Sequence, residues 1–146
     1  MDFFNSMNVS ASALSAERTR MNLISSNLAN ANTTRTPEGG AYKRKDAVFA
    51  ATPMRDSFDK VLNNAANRDI RQVKVMQVIE DQNPPRLQYD PSHPDANAQG
   101  YVALPNVNVV EEMADMINTT RSYEANVTAI QAAKGMAMKA LEISSK

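Results

Sequence analysis

The single histidine of this chain, His93, lies in the run Asp90-Pro91-Ser92-His93-Pro94-Asp95, which sets a hydroxyl, an imidazole and two carboxylates side by side in sequence. A serine hydrolase needs such groups to converge in space beside an oxyanion site. Neighbours on a turn braced by Pro91 and Pro94 point apart instead, so the run predicts a structural turn. Asp90, His93 and Asp95 are also too few ligands for a dedicated metal site, which needs a supporting shell of hydrogen bonds. Gly39-Gly40 lacks the Lys and Ser/Thr of a phosphate-binding loop, and no Gly-x-Gly-x-x-Gly pattern occurs. Lys43, Arg44 and Lys45 form a short basic run that reads as a solvated strand or loop rather than a nucleic-acid contact. There is no cysteine, which removes disulfides, thiolate metal sites and cysteine nucleophiles. Lys+Arg and Asp+Glu are both 16, so no general field collects nucleic acid or anionic lipid. The expectation is a non-enzyme with no catalytic, cofactor-binding or metal-ligating residues.

The elements that would carry any function are two apolar seams. Met7, Leu14, Met21 and Leu28 recur every seven residues near the start, and Val109, Met116, Tyr123, Ile130 and Ala137 do so near the end. Seven residues make about two helical turns, so each series lies on one side of a helix. The spacing predicts helices over residues 3–31 and 107–143, roughly 40 and 55 Å long at about 1.5 Å per residue. Between residues 1 and 34 the only charged side chains are Asp2, Glu17, Arg18 and Arg20. A helix with a water-facing side normally carries more, so the first helix suits surroundings of protein on several sides. The second helix has a further apolar row, Met113, Val127 and Leu141, interrupted by Thr120 and Lys134, so it is no strict zipper seam. Six of nine methionines fall in these helices, and their flexible side chains adapt to non-identical neighbours.

The middle of the chain reads differently. The run from Asn32 to Gly40, with Pro37 and two glycines, ends the first helix. Residues 41–50 and 71–80 are rich in aromatic and β-branched residues and read as strands, with Val73 and Val75 on one face and Val78 on the other. Met54, Phe58, Val61, Leu62 and Ala65 predict a short helix at 54–66. Leu87 and Tyr89 mark another strand, residues 90–100 a turn, and residues 101–104 a last strand stopped by Pro105. The expected fold is α+β, mainly α: long terminal helices paired as a coiled-coil-like unit, with a small β-rich middle. Residues 1–35 and 105–146 would form a discontinuous helical core domain, and 36–104 the middle domain.

Two stretches resemble the terminal signatures of bacterial flagellar rod and hook proteins. They are Ser25-Ser26-Asn27-Leu28-Ala29-Asn30-Ala31-Asn32-Thr33 and Pro105-Asn106-Val107-Asn108-Val109-Val110-Glu111-Glu112-Met113, the latter continuing into Arg121-Ser122-Tyr123-Glu124-Ala125-Asn126-Val127. The length, residues 89–95, Gly100-Tyr101-Val102 and residues 139–143 place the chain nearest the proximal-rod members of that family. The resemblance departs most at residues 50–72. It implies a structural subunit that stacks helically with copies of itself and with FlgB, FlgF and FlgG above the FliE adaptor, forming a driveshaft across the periplasm around the export channel. It also implies delivery by the flagellar type III export apparatus without a cleaved signal peptide. The assembly interface it implies comprises Met7, Leu14, Met21, Asn27, Leu28 and Asn30 at one end, and Val107, Val109, Val110, Met113, Met116, Tyr123, Asn126, Val127, Ile130 and Leu141 at the other.

The sequence agrees with such a route: no Lys or Arg precedes Arg18 and no continuous apolar block stands near the start, so no cleavable signal is expected. No stretch approaches the roughly 20 apolar residues of a membrane span, and no nucleic-acid partner, cofactor or direct membrane insertion is expected. The rival reading is a coiled-coil adaptor or scaffold of another secretion apparatus, which would use the same seams.

Overall fold

The structure, a computed structural model, describes residues 3–53 and 71–144. The short helix expected at 54–66 lies outside the described residues. Helix α1 spans Phe3–Ala29 and helix α2 spans Val109–Ser144. Strands β1 (Lys45–Pro53) and β2 (Arg71–Glu80) pair in one sheet, and β3 (Arg86–Tyr89) and β4 (Tyr101–Leu104) in another. The fold is therefore α+β and mainly α, with long terminal helices and a small region of strands between them.

Local chemistry explains the boundaries. α1 stops at Asn30 rather than running to residue 31, because the Asn30 side chain offers its own carbonyl with a donor. Its backbone N–H and its Nδ2 both donate to the Ser26 carbonyl, at 3.1 and 2.9 Å, and Thr33 Oγ1 donates to its Oδ1 at 3.1 Å. α2 begins behind Asn108, whose Oδ1 accepts the Val110 N–H at 3.1 Å as an N-cap, with Glu111 and Glu112 in the favoured first turn.

β1 starts at Lys45 and not at residue 41, as the aromatic and β-branched composition had implied. Residues 41–44 bond to distant backbone instead: the Tyr42 N–H donates to the Thr33 carbonyl at 3.1 Å, and the Arg44 carbonyl accepts from the Asp81 N–H at 2.7 Å. β3 and β4 form an antiparallel hairpin in which Tyr89 faces Tyr101, their rings edge to face with centroids 5.3 Å apart. Gly100 closes its loop at φ +82°, where a Cβ would sit 2.8 Å from Tyr89 Cε2, so only glycine lets the ring lie there.

Two compact units divide the chain. Unit 1 comprises Met1–Thr19, Phe49–Met76 and Thr120–Lys146, and unit 2 comprises Arg20–Val48 and Gln77–Thr119. In unit 1 the Val73 N–H donates to Ser12 Oγ at 3.2 Å, which fastens β2 to α1 beside the buried Ala16. In unit 2 the end of α1 meets the start of α2, and Ile24, Asn27, Val102, Pro105, Val107 and Glu112 are buried. Among the described residues the buried apolar side chains are mostly alanine and valine, whereas Phe4, Val110, Met113, Ile117, Met136 and Leu141 stay exposed. The single chain leaves much of its large apolar surface uncovered.

Candidate functional site

The two terminal signatures meet in unit 2 at one buried hydrogen-bonded cluster. Asn27, near the end of α1, is 1 % exposed. Its Nδ2 donates to the Lys45 carbonyl at 2.9 Å and to Glu112 Oε2 at 3.1 Å. Its Oδ1 accepts the Lys45 N–H at 2.9 Å and the Tyr42 hydroxyl at 3.0 Å. A side-chain amide offers two donors and two acceptor lone pairs, and Asn27 uses all of them. Its amide also pairs with the backbone of Lys45 as a neighbouring strand would.

Glu112 completes the cluster from the first turn of α2. It too is 1 % exposed, and Arg44 Nε donates to its Oε1 at 2.6 Å, so each carboxylate oxygen has its own partner. Arg44 Nη1 reaches Asp46 at 3.3 Å. Burial works against the Arg44 cation, yet the hydrogen bond and charge of Glu112, joined by Asp46, more than offset it and hold the guanidinium above its ordinary range. Within the basic run Arg44 is spent on Glu112, while Lys43 and Lys45, more exposed, both reach Glu80, at 4.0 and 3.7 Å. Tyr42, Arg44 and Glu112 were absent from the expected interface residues. Only the Glu at the third and fourth positions after the Asn108 cap signalled that α2 opens with acid.

The expected interface residues separate into three groups. Asn27 and Val107 are buried inside unit 2, and the hydrogen-bond capacity of Asn27 is used within its own chain. Met7, Leu14, Met21, Leu28, Asn30, Met116, Tyr123, Asn126, Val127 and Ile130 are half-buried. Val109, Val110, Met113 and Leu141 are exposed, Val110 at 75 % and Leu141 at 70 %. The buried and half-buried side of α2 includes Glu112, Met116, Thr119, Tyr123, Asn126, Val127, Ile130, Ala133 and Ala137, so Glu112, Thr119 and Asn126 take inward places that Met113 and Leu141 do not. The displaced apolar side chains look outward: Val110, Met113 and Ile117 at one end of the helix, Met136 and Leu141 at the other. Within unit 1, Met136 and Leu141 join Phe4, Ala133, Ala137 and Ala140 around an open groove of 740 Å³.

The sequence run around His93 does turn chemistry. Ser92 Oγ and its N–H donate to Asp90 Oδ1 at 2.6 and 3.1 Å, and the Asp95 N–H donates to His93 Nδ1 at 3.1 Å. The serine and histidine therefore serve different partners. Among the described residues no group of three or more His, Cys, Asp or Glu could hold a metal ion, and no helix is long and apolar enough to cross a membrane.

A helix poor in charge, a first-turn acid that binds back to it and an outward apolar face suit a protein that packs among helices. Residues 7–35 match the family described as flagella basal body rod protein, and residues 98–143 the one described as flagellar basal body rod FlgEFG protein C-terminal. The chain belongs to the flagellar basal-body rod protein family. It is similar over 98 % of its length to proteins named flagellar basal-body rod protein FlgC: 49 % identical to that of Bacillus subtilis (strain 168), covering 99 % of the relative. It is 42 % identical to that of Borreliella burgdorferi and 39 % to that of Escherichia coli O6:H1, each over 98 % of the relative.

Proposed function

We propose that this chain is a structural subunit of the proximal rod of the bacterial flagellum, built into a helical shaft through its terminal helices. Residues 1–35 and 105–146 would form its axial core and 36–104 its outward-facing middle. The observation that carries this reading is the apolar face of α2, with Val110, Met113 and Ile117 exposed along one side. Such a stripe is costly to leave in water, and covering it against a neighbour gains about 25 cal/mol per Å² of apolar area. Copies of this chain and the rod proteins FlgB, FlgF and FlgG, with FliE beneath, would supply that cover in the periplasm. Delivery through the type III export apparatus accords with a chain whose helices become fully enclosed only on assembly.

The test is to image basal bodies with this chain labelled, alongside cells that lack it. Signal in the lowest part of the axial shaft, with no filament when the chain is missing, is the expected result. Signal confined to a ring or to the filament, or normal swimming in the deletion strain, overturns it.

A further inference from the structure

We propose that the cluster of Asn27, Glu112 and Arg44, and not the apolar seams, fixes the axial register of the start of α2 against the end of α1. The inference concerns the single chain and stands apart from the rod assignment. Apolar contacts are non-directional, and a row that repeats every seven residues presents similar faces after a one-heptad shift. Half-buried residues of α2 are of this kind, with Met116, Tyr123 and Ile130 at heptad spacing, and in α1 the half-buried Leu14, Met21 and Leu28 repeat likewise. The carboxylate of Glu112 has no counterpart one heptad on. Thr119 would take its place, a buried residue whose hydroxyl already donates to the Asp115 carbonyl at 2.7 Å. Arg44 would keep only Asp46 and Asn27 would lose an acceptor, whereas in the observed register both bonds to Glu112 are made, at 2.6 and 3.1 Å. A buried polar group with directional partners is the best-attested means of choosing one register from several.

A shift of this sense lengthens the connection leading out of β4 by unwinding the first two turns of α2, so the chain permits it. Opposing it besides the cluster are the buried Pro105 and Val107. They are the rival determinants, and moving the carboxylate separates the two explanations.

The native chain has no cysteine, so Ser25→Cys, at an exposed position of α1, carries a nitroxide at a unique site. Broadening of backbone amide signals along α2 then reports which residues lie beside it. In this labelled chain the broadening centres on one segment next to Glu112. Adding Glu112→Thr and Thr119→Glu moves the carboxylate one heptad, and the centre is expected to follow it by seven residues, roughly 10 Å of helix. A centre that stays in place overturns the proposal in favour of Pro105 and Val107. So does the absence of any single centre in the labelled chain without further change. The pair Arg44→Met and Glu112→Leu keeps the test open should the exchange fail to fold: it replaces the ion pair with apolar contact, and two centres are expected. A single centre at the native position in that variant also overturns the proposal.

Discussion

The polar cluster of unit 2 and the apolar end of unit 1 use the same pair of helices in opposite ways. Around Asn27 and Glu112 the side chains are buried and their bonds are completed within one molecule. Around Phe4, Met136 and Leu141 the side chains are large, apolar and open to water. The contrast teaches that polar bonds are completed where the chain folds on itself, while the large apolar side chains stay where nothing within the chain covers them.

Charging the exposed apolar side chains of α2, at either end, should have the largest effect on function and almost none on the free chain. Leu141→Asp or Val110→Asp is expected to abolish swarming on soft agar, because assembly would bury a charge without a partner. The same variants should change the unfolding free energy of the isolated subunit by no more than about 0.5 kcal/mol, as is usual for exposed sites. Normal swarming, or a subunit that no longer folds, would erase the distinction between the two regions. Glu112→Ala inverts the pattern. It strands Arg44 and an Asn27 donor, and a denaturant melt should show a loss of about 3 kcal/mol, at the low end for a broken buried pair because Arg44 is partly exposed. Tyr42→Phe sharpens the point by removing only a hydroxyl, which donates to Asn27 and also meets Ser26 Oγ at 3.3 Å. About 1 kcal/mol is expected from losing the hydroxyl that donates to Asn27, and a change near zero would mean that the amide is satisfied without it.

The smallest effect belongs to the loop after β3. The Ser92 hydroxyl, then its N–H, hold the Asp90 carboxyl below the ordinary value of 3.8. A depressed carboxyl contributes stability that is complete above the ordinary value and is lost as pH falls through the folded one. Ser92→Ala should return Asp90 toward 3.8 in a carboxyl-carbon titration and weaken the acid-side dependence. The Arg44 cation, raised in its setting, keeps its contribution below that elevated value and loses it only above, so the cluster should ignore any ordinary alkaline shift.

How much of this could be read from the residues depended on the distance between partners. Heptad spacing and the Asn108 cap are local, and the helices appear within a few residues of where the periodicity puts them. The hairpin was equally legible, since Leu87 and Tyr89, the Asp90 turn and the strand after Gly100 follow one another closely. The partner of Arg44 was not legible because nothing beside Lys43, Arg44 and Lys45 announces an acid; Glu112 lies 68 positions from Arg44. Which residues of α2 turn inward was not legible for a related reason. The chain buries Thr119 and half-buries Asn126 while Met113 and Leu141 stay exposed, which hydrophobicity alone does not announce. Asn27 stood out as part of a helix poor in charge, but its saturation by Lys45, Tyr42 and Glu112 is a property of the fold.

Because the amide of Asn27 occupies both backbone groups of Lys45, the first rung of β1 is already closed from the side. Unclaimed rungs at a sheet margin invite strands from other molecules, and crowded copies of one polypeptide are where such mispairing begins. The helix thus shields the sheet at the point where a foreign strand would otherwise start to zip.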